Sequence, residues 1–203
     1  KLINFSMSQD NFILLNSNNN SDNYDLLCGY GVKSYIKSSE DSLTKLDNFF
    51  ERKKDWLFGY MTYDLRNEIE VLNDDNIGFI NMPNLYFFQP QIVWCVKGKN
   101  VTGLSFEKDL IEYDWNRFNE ITEKEKTKNS KIVKLNLRNS KSEYIDKVNK
   151  IKERIFRGDC YEMNFCFDLF NEYDEINPYD TYVKLNDYTK SPMSSFLKTK
   201  DIF

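Results

Sequence analysis

Along the chain, short apolar runs alternate with stripes at helical spacing. Phe12, Ile13, Leu14 and Leu15 form a run that stops at the polar tract 18–23, and a second run starts at Tyr24, which predicts strand, loop, strand. Residues 39–54 place Leu43, Leu46, Phe49 and Phe50 on one side of an amphipathic helix that should pack on a sheet. Residues 56–65 read as a nearly continuous apolar strand of the kind found at the centre of a sheet, with Gly59 marking a bulge or a close neighbour. The runs 85–96 and 101–106 are strand-like and joined by a hairpin turn at 97–100. A helix is predicted over 108–129 on Leu110, Ile111, Trp115 and Phe118, decaying into the charged tract 123–128, a solvated connector.

Ser140 and Glu143 have the spacing of a capping box, after which Tyr144, Val148, Ile151 and Ile155 recur on one helical face. Lys152, Arg154 and Arg157 place positive charge where the helix dipole is negative, and Gly158 can take the left-handed conformation that closes the helix. The period then changes to two. Tyr161, Met163, Phe165, Phe167 and Leu169 are predicted to face a core, and Cys160, Glu162, Asn164, Cys166 and Asp168 the other side. That second face is either solvated or turned toward a ligand, because burying Glu162 or Asn164 without a partner costs about 1–3 kcal/mol each. Asn177 and Pro178 open a further helix with Tyr182, Val183 and Leu185. Residues 196–203 read as a hairpin whose second strand has barely begun, so the chain is expected to be part of a longer one.

At 203 residues with 40% hydrophobic and 16% aromatic side chains, the chain can build one domain or a large piece of one. A net charge of −4 lacks the basic footprint of a nucleic-acid binder. No apolar run reaches the length of about 18 residues needed for a membrane span. Residues 1–9 lack the apolar region of a signal peptide, so a cytoplasmic protein is expected. Cys28, Cys95, Cys160 and Cys166 form no C-x-x-C pair and there is no histidine, which speaks against a Cys/His zinc site. The four read as buried, reduced thiols. Acid–base work would fall to carboxylates, lysine or tyrosine.

Arg157-Gly158-Asp159-Cys160-Tyr161-Glu162-Met163-Asn164-Phe165 resembles the G-D-C-Y-Q-x-N segment of the chorismate-utilising enzymes, in the branch of aminodeoxychorismate synthase component I. Glu162 stands where relatives often carry Gln. Ser142-Glu143-Tyr144 is similar to the helix that leads into that segment, residues 56–65 resemble the signature W-x-F-G-Y-x-x-Y-D-L, and Tyr86-Phe87-Phe88-Gln89-Pro90 is again similar to the relatives. Leu14-Leu15-Asn16-Ser17 matches the L-L-x-S segment that lines the pocket for tryptophan, the feedback inhibitor, in the related anthranilate synthases. Residues 189–197 resemble the second wall of that pocket, N-x-x-P-[FY]-x-x-[FY]-L, with Met193 in place of the usual aromatic and Thr189 in place of the usual Asn. From the residues alone, Ser17 is a hydroxyl tying its own loop, and Pro192 is punctuation before a strand.

The resemblance implies an α+β fold, a large and mostly antiparallel sheet packed by helices. It divides the chain into an N-terminal family domain, 1–130, and the truncated start of the chorismate-binding domain, 131–203. It further implies that ammonia from a glutamine amidotransferase subunit replaces the 4-hydroxyl of chorismate, giving 4-amino-4-deoxychorismate for 4-aminobenzoate and folate synthesis. Glu162 and Asn164 would face the substrate, with Asn164 catalytic. Leu14, Leu15, Ser17, Pro192, Met193 and Phe196 would line an effector pocket for tryptophan. The lysine nucleophile and the glutamates that hold Mg2+ would lie outside this chain, in which no metal ligand is named, so the 203 residues alone are expected to be inactive. Anthranilate synthase component I is the nearest alternative, against which Cys160, Tyr161 and Asn164 speak. A tryptophan-binding regulatory module without chemistry, or a structural or interaction role, is the other.

Overall fold

A computed structural model describes residues 8–70, 80–120, 133–172, 176–200 and 202–203. The strands are β1 (Asn11–Asn16), β2 (Leu26–Tyr30), β3 (Ser34–Ser38), β4 (Phe58–Met61), β5 (Leu85–Gln89), β6 (Ile92–Lys97), β7 (Asn100–Leu104), β8 (Asn136–Leu137), β9 (Leu169–Phe170) and β10 (Ser194–Thr199). The helices are α1 (Ser42–Lys53), α2 (Arg66–Ile69), α3 (Lys108–Glu120), α4 (Lys141–Phe156) and α5 (Pro178–Thr189). The fold is α+β, with a five-stranded antiparallel sheet in the order β10-β1-β2-β6-β7 and a three-stranded sheet in the order β3-β5-β4. By contacts the chain separates into two units, one of Lys1–Glu125 with Tyr182–Phe203, the other Lys126–Thr181.

In the first unit, β1 is buried on both faces because each face meets a different layer. Ile13 and the half-buried Leu15, with Leu27, Val93, Cys95 and Leu197, pack against Phe58, Phe88, Trp56 and Tyr86 of the region that carries the smaller sheet. Gly29 sits in that layer where the Phe58 ring would lie 2.8 Å from an added Cβ, so the ring occupies the space a side chain would need. The opposite face carries Phe12, Leu14, Cys28, Tyr30, Trp94 and Phe196. Register explains this set, since Phe196, Leu14, Cys28 and Trp94 lie side by side on four consecutive strands. Helices α3 and α5 cover this face, with Trp115 at 5.7 Å from Trp94 and Tyr182 stacked at 5.1 Å on Phe196. Helix α1 packs on β3 and β5.

The apolar run 85–96 is not one strand. Pro90 has no N–H to offer a ladder, and there the chain leaves the smaller sheet as β5 and re-enters the larger as β6. Gly31, at φ 69°, makes the matching crossing between β2 and β3. The segment 56–65 supplies β4, which is an edge of the smaller sheet and not a central strand, and its Tyr63–Leu65 turn into a 3-10 helix. Gly59 is a close-neighbour site, since a Cβ there would run into the Tyr86 carbonyl. The charged tract 123–128 lies outside the described residues.

In the second unit α4 begins as its capping box requires: the Ser140 hydroxyl accepts from the Glu143 N–H at 3.3 Å and the Glu143 carboxylate accepts from the Ser140 N–H at 2.7 Å. The strand predicted over 161–169 does not form. Among the described residues the pairing is confined to Leu169 and Phe170 with Asn136–Leu137, extended by one bond from the Arg138 N–H to the Asp168 carbonyl, and a strand exists only where its N–H and C=O groups meet another backbone. Tyr161 is therefore fully exposed and Met163, Phe167 and Leu169 are about half exposed, so this row is not a core face among the described residues. The cysteines also divide: Cys28 and Cys95 are buried, Cys160 is half-buried and Cys166 is exposed. No helix among the described residues is long and apolar enough to cross a membrane.

Candidate functional site

Where β1 and β10 end side by side, Asn16 pairs with Ser194, and the loops that follow β1 and precede β10 meet. Between them lies a cleft of about 600 Å³ lined by Leu15, Ser17, Asp22, Tyr24, Leu27 and the segment 192–194, among others. Its walls are apolar through Leu15, Leu27, Tyr24, Pro192 and Met193, and its polar groups are hydroxyls, amides and one carboxylate. Tyr24 is braced by Trp56, edge-on at 6.3 Å. Alternation separates Leu15 from Leu14: Leu15 reaches the cleft, whereas Leu14 and Phe196 point to the helix-covered face and are buried there.

The β1–β2 loop is held by its own backbone and by two outside anchors. The Ser17 hydroxyl donates to the Asp25 carbonyl at 3.2 Å, parallel to the Ser17 N–H at 3.0 Å, which ties the loop across its base. The Asp25 carboxylate in turn accepts from the Gly98 N–H at 2.6 Å and from Lys97 at 3.0 Å, fastening the loop to the β6–β7 turn. The Gly98 N–H first, and Lys97 with it, hold the Asp25 carboxyl below its ordinary range. On the other side, Asn18 bonds to Asn186 of α5 and to Ser191.

The second candidate lies in the other unit. Helix α4 stops at Gly158, φ 80°, and Asp159 accepts from Arg154 at 3.1 Å and from Arg157 at 2.5 Å, locking the turn. The chain then runs without regular structure past Glu162 and Asn164, both exposed, and neither side chain makes a hydrogen bond among the described residues. Phe165 and Phe167 pin the segment to α4, their rings 5.4 and 5.6 Å from Tyr144. An amide that donates and accepts, Asn164, and a carboxylate that accepts, Glu162, thus stand exposed beside a fixed turn.

The family model described as chorismate binding enzyme matches residues 11–202. The chain belongs to that family. No curated protein matches the chain. Both the cleft and the Glu162–Asn164 segment fall inside the matched span of this chorismate-binding family member. Among the described residues no group of three or more Asp, Glu, Cys or His side chains could hold a metal ion.

Sequence reading pointed to Leu15, Ser17, Pro192 and Met193, and the structure brings these four to one cleft. It sends Leu14 and Phe196 to the helix-covered face, which the unbroken apolar run 12–15 does not announce because both faces of the strand are buried. Tyr24, Leu27 and Asp22 were missed as lining residues. The signal available for Tyr24 and Leu27 was their position directly after the polar tract, where a returning strand must face the one it leaves, and Asp22 lies in the tract itself. Asn18 and Asn186 had no signal, being 168 residues apart.

Proposed function

We propose that this chain serves the aminodeoxychorismate branch of the family, as part of a component I that exchanges the 4-hydroxyl of chorismate for an amino group. The reading rests on the Gly158-Asp159-Cys160-Tyr161-Glu162-Met163-Asn164 segment. Its Glu162 and Asn164 side chains are exposed and make no hydrogen bond among the described residues, and they follow a turn clamped by Arg154, Arg157 and Asp159. In that role the Asn164 amide, which donates and accepts, would orient the reacting region of chorismate, and Glu162 would meet a polar substituent from the same strip. Ammonia would come from a glutamine amidotransferase subunit. The lysine and the magnesium-holding glutamates would belong to residues beyond these 203. The cleft between Ser17 and Met193 would be the effector site, its apolar walls suited to an indole and its hydroxyl and amide groups to the polar end of tryptophan.

Product identity tests the reading. The complete enzyme with chorismate, Mg2+ and ammonia is expected to give 4-amino-4-deoxychorismate, resolved by chromatography. Release of fluorescent anthranilate instead would move the chain to the anthranilate branch.

A further inference from the structure

Neither Asn18 nor Asn186 lines the effector cleft, yet together they join its two walls. The Asn18 side-chain amide donates to the Asn186 Oδ1 at 2.8 Å and to the Ser191 carbonyl at 2.6 Å, while the Asn186 amide donates back to the Asn18 Oδ1 at 3.1 Å. The Ser191 carbonyl can only accept, so the nitrogen of Asn18 must face it, and this fixes the orientation of both amides. All three residues are half-buried. The contact spans two loops that each need an unusual backbone: Asn18 and Asn19 have φ 48° and 65°, and Lys190 has φ 46°. Asn tolerates that left-handed region better than most side chains. Pro192 and Met193 follow Ser191 directly, and Ser17 precedes Asn18, so Asn18 and the Ser191 carbonyl each sit directly behind one wall.

We infer that the reciprocal amide pair Asn18–Asn186, with the Ser191 carbonyl, is a positioning clamp that sets the spacing of the cleft walls and hence the affinity of the site. The inference rests on reading that cleft as the effector site. The clamp acts on ligand through the loops and touches none itself. A carboxylate on either side loses a donated bond, because each partner donates and accepts at once.

Aspartate isolates the effect. It is isosteric with asparagine and keeps the tolerance for positive φ, but it cannot donate. Asn18→Asp loses two donated bonds and sets a carboxylate against two acceptors, whereas Asn186→Asp keeps its acceptor and loses one donated bond. Hydrogen exchange of the 203-residue chain reads this at the Ser17 and Asn20 amides, which bond to the Asp25 and Ser17 carbonyls. Asn18→Asp is expected to speed both by about tenfold or more, Asn186→Asp by less, with the β2 and β6 amides unchanged. Unchanged reporters, or equal effects from the two variants, would overturn the clamp. So would acceleration of the sheet amides in parallel, since that marks a general stabiliser. Calorimetric titration of the wild-type chain with tryptophan keeps the two readings apart, as a flat trace overturns the effector site while exchange still decides the clamp. Where the wild type binds, Asn18→Asp should weaken tryptophan by about tenfold, and unchanged affinity would count against the clamp.

Discussion

Met193 and Phe196 stand three residues apart, one on the approach to β10 and one within it, and their truncation is expected to report on different properties. Phe196 is 7% exposed, edge-on to Phe12 at 5.5 Å and stacked on Tyr182. Phe196→Ala should therefore cost about 3–5 kcal/mol, read as a fall in the urea midpoint. Met193 is 89% exposed, so Met193→Ala should leave stability within about 0.5 kcal/mol while weakening any tryptophan bound in the cleft. A cleft residue that behaved like Phe196 would have been misassigned. Asn164 makes the same distinction in the other unit. Asn164 does not face away from a core row on a strand, because that strand is absent, and its candidacy rests on exposure and on the segment it belongs to. In the complete enzyme Asn164→Ala is expected to lower turnover and catalytic efficiency together, by about 2–4 kcal/mol of barrier. The melting temperature should hold, since Asn164 is exposed and makes no hydrogen bond among the described residues. Near-normal turnover with early unfolding would instead make it a structural tie.

At the level of elements, two helices solve the same problem at different ranges. Helix α4 is capped by Ser140 and Glu143, three residues apart, and that start was legible because both halves of the box fall in one turn. Helix α1 has no such signal. Asp41, at φ 49°, makes no side-chain cap bond, and the helix start is closed at the buried Ser42 by Glu68, 26 residues on, which accepts from the Ser42 N–H and hydroxyl at 2.7 Å each. Asn84 adds a third bond at 2.8 Å. Partial burial alone would raise the Glu68 carboxyl. The bonds from Asn84 and Ser42, with Lys45 nearby, outweigh it and hold the group below its ordinary range. A depressed folded value means that the cap stabilises fully above the ordinary glutamate range and is lost as pH falls through the lowered value. Glu68→Gln should accordingly lower the urea midpoint near neutrality, with the gap to wild type closing in acid. A constant gap would remove the carboxylate charge from the account. The row 161–169 shows the converse of α4. Its alternation is real, but pairing needs a second backbone, and nothing within the row says whether one is supplied.

Across the whole molecule, the order β10-β1-β2-β6-β7 makes a strand near one end of the chain the neighbour of the first one. Apolar runs announced every strand of this sheet. They could not announce that β10 closes against β1 in the register Leu14 to Phe196, a contact between segments about as far apart as the chain allows. The first unit is consequently discontinuous, interrupted by residues 126–181. If its stability resides in the two-faced burial of β1, the interruption should be dispensable and β10 should not. A chain in which a flexible Gly/Ser linker joins Glu120 to Asn177 keeps α3, α5 and all five strands, and it should unfold cooperatively in urea with sheet amides still protected. A chain ending at Glu125 keeps β1 but loses Phe196, Tyr182 and every backbone partner on one edge. It uncovers Phe12 and Leu14, each worth about 1.5–3 kcal/mol when fully buried, and leaves β1 as an open edge. That shorter chain should show no cooperative transition. Should it fold as well as the linked one, β10 would be an accessory to the sheet, and the cleft walls would owe their spacing to something other than strand closure.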